Sequence, residues 1–199
     1  GREVRTDQEK RFVGNYASVA AAAGVAGLTA GAQAWLTSNV SRGATGANGG
    51  FSAGIVAAAT NGTQRTSTEA LFKTVLSSIW TNGGDATMAI ASLTQKQTMA
   101  GFAGLAQQRR ETGAKRATIV AGADVYVSDV GEVMFVADRF ADARSIVLAD
   151  PTMWEIATLD PMQRKELAQT GLADRTALYT EVALKCLNEA ASGVVADLT

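Results

Sequence analysis

The chain contains no histidine in 199 residues. That removes the commonest general base, the commonest metal ligand and every serine or cysteine triad that depends on imidazole. There is one cysteine, Cys186, so no disulfide can close within the chain. A reducing interior is the expected site of folding, with the thiol serving as a small buried hydrophobe. Excess charge of either sign is also missing. The 18 Lys and Arg against 19 Asp and Glu leave a net charge of −1 and a pI near 5.5, whereas a general nucleic-acid binder would be basic. No carboxylate pair, no C-x-x-C and no lysine in an obviously apolar setting stands out. Carboxylate chemistry, lysine chemistry and cofactor binding stay open, but composition favours binding or structure over catalysis. The length allows one sizeable core, or two small ones, burying roughly 70% of the unfolded surface without covalent staples.

Charge is absent from Phe12 to Ser41, which raises a transmembrane or signal-peptide reading, with "AQA" at Ala32–Ala34 imitating a cleavage site. The letters are alanine, glycine and polar residues rather than leucine and isoleucine, and these gain little from entering lipid. Phe12, Val13, Tyr16, Ala17, Val19 and Ala20 recur at helical spacing, so the expectation is a helix from the N-terminal charges to near Gly24, packed closely through small residues. The chain lacks an initiator methionine and starts mid-pattern, which suggests a piece of a longer protein. Ser41–Gln64, rich in glycine and alanine, reads as an exposed insertion; its glycines fit neither G-x-G-x-x-G nor a P-loop. Asn39-Val40-Ser41 and Asn61-Gly62-Thr63 match the glycosylation triplet, without a secretory signal to give it meaning.

The clearest helix follows. Thr66 with Glu69 fits a capping box, Leu71, Phe72, Val75, Leu76 and Ile79 form an apolar face, and Asn82-Gly83-Gly84 ends it. "ATMAIASL" predicts a short buried strand and Thr94–Phe102 a second helix. The basic stretch Gln107–Arg116, with Arg109, Arg110, Lys115 and Arg116, suits a solvated loop first, then a subunit contact, and last a contact with nucleic-acid phosphate. Alternation across "SDVGE" predicts a hairpin. Asp129 and Glu132 sit at its tip; calcium would need further oxygen ligands that are not evident, so a turn aspartate is the better reading. "RSIVLADP" and "MWEIATLDP" read as strands closed by Asp150-Pro151 and Asp160-Pro161. Arg175–Ala190 fits both helix and strand periods, and periodicity does not decide between them. On the residues alone this is a soluble α+β domain without an assigned task.

The order of several segments resembles the major capsid (major head) proteins of tailed bacteriophages: "AWLTSNVSRG" at Ala34–Gly43, "GFAG" at Gly101–Gly104, "DVYVSDVGEV" at Asp124–Val133, "DRF" at Asp138–Phe140, and the C-terminal block from Leu167. The resemblance implies a Hong Kong ninety-seven type α+β fold, with axial and peripheral domains, a long spine helix and mixed sheets. By position, residues 1–23 would be the spine helix, 24–65 a Gly/Ala-rich loop or insertion, 66–150 the axial domain, and 151–199 the return to the peripheral domain with C-terminal strands. That favours strand for the ambiguous tail. Nothing matches the family's N-terminal arm and extended loop, which should precede the spine helix.

The implied function is a non-enzymatic shell subunit, assembling into hexamers and pentamers of an icosahedral head, in the virion and built in the host bacterial cytoplasm. Its partners would be itself, a portal, a cement or scaffold protein, and double-stranded DNA held non-specifically on the inner face; no cofactor, metal or membrane is implied. The expected subunit contacts are Arg109, Arg110, Lys115 and Arg116, the tip residues Asp129 and Glu132, and the apolar end at Val194, Val195 and Leu198. The competing readings are an encapsulin-like nanocompartment shell, which would package enzyme rather than DNA, a small-molecule-binding α+β enzyme, and a phage tail or decoration protein.

Overall fold

The computed structural model describes residues 2–102, 125–171 and 173–199. In chain order the elements are α1 (Arg2–Val13), α2 (Ala32–Trp35), β1 (Val40–Ser41), β2 (Gly50–Ser52), β3 (Ile55–Ala57), α3 (Glu69–Thr81), β4 (Met88–Ala91), α4 (Leu93–Ala100), β5 (Val125–Ser128), β6 (Gly131–Ala137), β7 (Ile146–Ala149), β8 (Trp154–Thr170), β9 (Ala173–Cys186) and β10 (Gly193–Val195). The chain is therefore a mixed α+β fold.

The apolar alternation of short segments builds one six-stranded sheet in the order β1-β10-β7-β4-β6-β5. The β4–β6 and β1–β10 neighbours are parallel and the rest antiparallel. Helices α3 and α4 cover one face. Phe72, Val75, Leu76 and Ile79 from α3 and Met99 from α4 meet Tyr126, Val133, Phe135, Ile146, Leu148, Val195 and Leu198. Phe72 is central, with Tyr126 edge-on at 5.3 Å and Phe135 edge-on at 5.7 Å between ring centroids. Such pairs add about 0.5–1.5 kcal/mol beyond their area. On the opposite face Leu36, Val147, Val194 and Ala196 form a smaller cluster joined by Val40, Ile90 and Trp154.

Hairpin β5–β6 turns at Asp129-Val130 as the alternation predicts, with Tyr126, Val133 and Phe135 inward and Val125, Val127 and Met134 outward. The strand at Met88–Ala91 and the two predicted helices also form. The capping box does not: Thr66 lies outside α3, the N-cap Thr68 makes no side-chain bond, and Glu69 opens the helix with its carboxylate on the Tyr126 hydroxyl at 2.9 Å and the Lys73 ammonium at 2.8 Å.

The front of the chain differs most from expectation. The helix predicted to reach Gly24 stops at Val13, and α1 has 12 residues, about 18 Å. Among the described residues the helix therefore ends about three turns short of the predicted boundary. Beyond Gly14 the side chains are too small to bury much apolar area, and tertiary backbone pairing wins over local propensity. Ser18 N–H donates to the Val56 carbonyl at 2.9 Å, Val19 pairs with Leu28, and the Asn15 amide brackets Ala59 through both its oxygen and its nitrogen. Glycine permits the close approach: a Cβ at Gly31 would lie 1.9 Å from the Gly14 carbonyl oxygen.

The segment read as an exposed insertion is exposed over most of its length, as expected, yet it packs on the rest at a few points. It carries the β2–β3 hairpin, buries Val56 and Ala59, and stacks Phe51 on Trp35 at 5.8 Å. The strand expected to close at Asp160-Pro161 instead continues to Thr170, pairing antiparallel with β9 in a separate two-stranded ribbon. Proline is tolerated there because it lies on an edge strand at a register shift. The ambiguous tail is strand up to Cys186.

Candidate functional site

Among the described residues no group of three or more His, Cys, Asp and Glu is placed to hold a metal ion, and no helix is long and apolar enough to cross a membrane. The Cys186 thiol, half-buried beside Glu189, is pushed up to about 11, by burial first and the carboxylate second. At neutral pH it is a poor nucleophile. Tyr126 is raised by burial and by its bond to Glu69, and Glu69 is lowered by Lys73 and then by Tyr126. These groups tie α3 to β5.

The polar residues that matter most to the architecture hold the C-terminal segment. Asp197 is 1% exposed and has a left-handed backbone, φ 61°. Its carboxylate accepts from Gly62 N–H at 2.7 Å and Gly43 N–H at 3.0 Å, and pairs with the Arg144 guanidinium at 3.5 Å. A Cβ at Gly43 would fall 2.0 Å from the Thr63 carbonyl oxygen, so only glycine lets the two loops close over this carboxylate. The neighbouring Arg42 is lowered by burial, partly offset by Asp197. The backbone of Arg65 donates to Asp197 and accepts from Thr199, and Gln95 Nε2 donates to the Thr199 carbonyl at 3.1 Å.

A second hub lies around Asn39, which donates through Nδ2 to the Ala190 and Ser192 carbonyls and accepts from Ser78 and Asn82. With 1% exposure this asparagine is a bracket inside the fold, so the glycosylation triplet at Asn39 is not an acceptor site. Nearby, Glu189 accepts from the Thr37 and Ser38 amides and the Ser38 hydroxyl. Burial opposes its charge, but those donors outweigh it and hold the carboxyl below the ordinary range.

The residues expected to touch neighbouring subunits fall into three groups. Arg109, Arg110, Lys115 and Arg116 lie outside the described residues. Asp129 and Glu132 are exposed at the β5–β6 tip. Val194, Val195 and Leu198 correct the expectation: they are 0%, 1% and 0% exposed, because β10 is inserted between β1 and β7, and their side chains are used inside the subunit core. The segment is held down by its own chain.

The exposed apolar surface lies elsewhere. The β8–β9 ribbon shows Ile156, Leu159, Met162, Leu167, Leu178 and Tyr179 to solvent, Leu159 at 83%. At its base an apolar groove of about 310 Å³ runs between Phe12 and Val13 of α1, Ile90 and Val147 of the sheet, and Trp154, Ile156 and Leu184 of the ribbon. Both helix and strand periods fitted Arg175–Ala190, and the family resemblance favoured strand; nothing local pointed to Asp197 or Asn39, whose side-chain hydrogen-bond partners lie 39 to 154 residues away in sequence.

Against family models, residues 1–199 match the one described as SU10 major capsid protein. No curated protein matches the chain.

Proposed function

The chain belongs to the SU10 major capsid protein family, and from that premise we propose how its parts serve the shell. It is a major capsid protein of a tailed bacteriophage, a structural and non-enzymatic subunit whose copies self-assemble into the head shell. The match over the whole chain carries this conclusion.

The finer assignments are proposals. The fold is of the Hong Kong ninety-seven type; the six-stranded sheet with α3 and α4 is mainly the axial domain, and α1 with the β8–β9 ribbon belongs to the peripheral domain. Support comes from the β8–β9 ribbon forming a sheet of its own, separate from the six-stranded one. Copies form hexamers and pentamers that meet a portal and a scaffold or cement protein, assemble in the host bacterial cytoplasm, and enclose double-stranded DNA held without sequence preference. Arg109, Arg110, Lys115, Arg116, Asp129 and Glu132 are proposed subunit contacts. A shell repeats modest interfaces many times, so affinity accumulates by multivalency, and a net charge of −1 limits repulsion between packed copies.

The test is negative-stain electron microscopy with light scattering on the purified full-length protein, and analysis of native particles. Closed shells, hexamers or pentamers are expected, with DNA in the native particles. A monomer that is also missing from purified virions would overturn the reading, and packaged enzyme would reassign it to a nanocompartment.

A further inference from the structure

The two long edges of the β8–β9 ribbon are not equivalent. Three register shifts interrupt the pairing, and each places the extra residue on β8: between Thr158 and Asp160, between Asp160 and Gln163, and between Leu167 and Thr170. Pro161 removes one N–H from the same strand. Bulges and proline are devices that blunt an edge against further pairing. Strand β9 has neither, and runs through Ala173–Cys186 without glycine or proline.

The outward groups of β9 can be identified. Leu184 N–H donates to Thr29 Oγ1 across the outer edge at 2.9 Å. Backbone groups alternate along a strand, so Val182, Thr180, Leu178 and Thr176 turn their N–H and C=O the same way. None of these four has a backbone partner on that side among the described residues. A two-stranded ribbon of 17 and 14 residues is longer than most strands, and an isolated hairpin is marginal in water, so a regular open edge calls for a third strand.

Charge selects the occupant. Glu181 stands directly opposite Asp160, a destabilising like-charge pair, and Arg175 stands opposite Leu167. Neither Glu181 nor Arg175 has an ion-pair partner among the described residues. Suppose β9 meets β9 of a second copy antiparallel about a two-fold axis at Leu178. Arg175 then lies across from the other copy's Glu181, twice by symmetry, with Thr176 across from Thr180 and Leu178 across from itself. Moving the axis to Thr180 would instead set Arg175 against Lys185, a repulsive register. We propose that the outer edge of β9 pairs with β9 of a second copy in the Leu178-centred register, joining two shell subunits by an isologous four-stranded sheet.

The inference rests on the shell-subunit reading, and the test separates the two. Glu181→Arg and Arg175→Glu, each alone, should raise the concentration at which shells appear about tenfold, and the double substitution should restore assembly. Glu181→Arg also relieves the repulsion with Asp160, so the subunit's own melting temperature should hold or rise while assembly weakens, which loss of folding would not produce. In a Cys186→Ser background, Leu178→Cys should give covalent dimers with a short bis-maleimide in assembled shells. Single reversals that assemble like the parent, a double substitution no better than either single, or shells without the Leu178→Cys dimer would each overturn the pairing. A parent that forms no shell would count against the shell reading instead.

Discussion

Replacing Asp197 by alanine tests whether the buried carboxylate is what closes the two loops over the C-terminal segment. The substitution leaves the Gly62 and Gly43 amides, bonded at 2.7 and 3.0 Å, without an acceptor in a site where the aspartate side chain is 0% exposed. Each hydrogen bond to a charged group is worth about 1.5–3 kcal/mol, so the pair amounts to roughly 3–6 kcal/mol. The Arg144 contact at 3.5 Å is partly open to solvent, and its loss adds less than about 1 kcal/mol. Alanine at φ 61° adds about 1 kcal/mol of backbone strain. The sum, about 5 kcal/mol, is a large part of the 5–15 kcal/mol that holds a domain together. Asparagine keeps one acceptor oxygen and tolerates the left-handed backbone, so Asp197→Asn should lose about half as much. Urea unfolding of the dissociated subunit, followed by tryptophan fluorescence, measures both; in a melt the alanine variant should fall by roughly 10–20 °C. An alanine variant losing less than about 1 kcal/mol, or equal losses for the two variants, would refute the reasoning.

Two other predictions bear on single groups. The carboxyl of Glu189 is held below its ordinary 4.5, so it contributes stability above that pH and loses it as the pH falls through and below 4.5. Glu189→Gln should flatten that acid limb of the urea-midpoint profile, and an unchanged limb would show that the Thr37 and Ser38 donors do not matter. The Cys186 thiol, raised to about 11, should react with maleimide far more slowly than a free thiol at pH 7 and approach it only near pH 11; rapid labelling of the native protein at pH 7 would contradict the burial argument.

Much of the sheet was legible because its signals are local. Tyr126, Val133 and Phe135 alternate with outward residues around an aspartate-containing turn, and Phe72, Val75, Leu76 and Ile79 fall on one helical face. The front half was not, because alanine and glycine report little: they allow a helix as readily as an extended chain, and the Ser18–Val56 bonds that decide the matter come from distant sequence. Strand or helix for Arg175–Ala190 could not be settled by period, and the family resemblance, not the spacing, favoured the strand that forms up to Cys186. Val194, Val195 and Leu198 were placed on the surface because an apolar terminal run resembles an interface patch. Their burial follows from strand order, which no short window contains. The family was readable from ordered motifs, whereas the free β9 edge required the register.

The position of β10 also constrains when the protein can finish folding. Its partners β1 and β7 are made early and late, and the gap between them stays open until Val195 has left the ribosome. Pairing Val40 with Val194 closes a loop across most of the chain, a step of high contact order that local structure cannot hasten. A nascent chain interrupted before that strand would keep the Phe72 cluster uncovered at Val195 and Leu198. Such a fragment would carry an exposed sheet interior to chaperones and proteases rather than a finished surface to its neighbours. Synthesis of β10 and competence to join a lattice are thereby coupled through one three-residue strand.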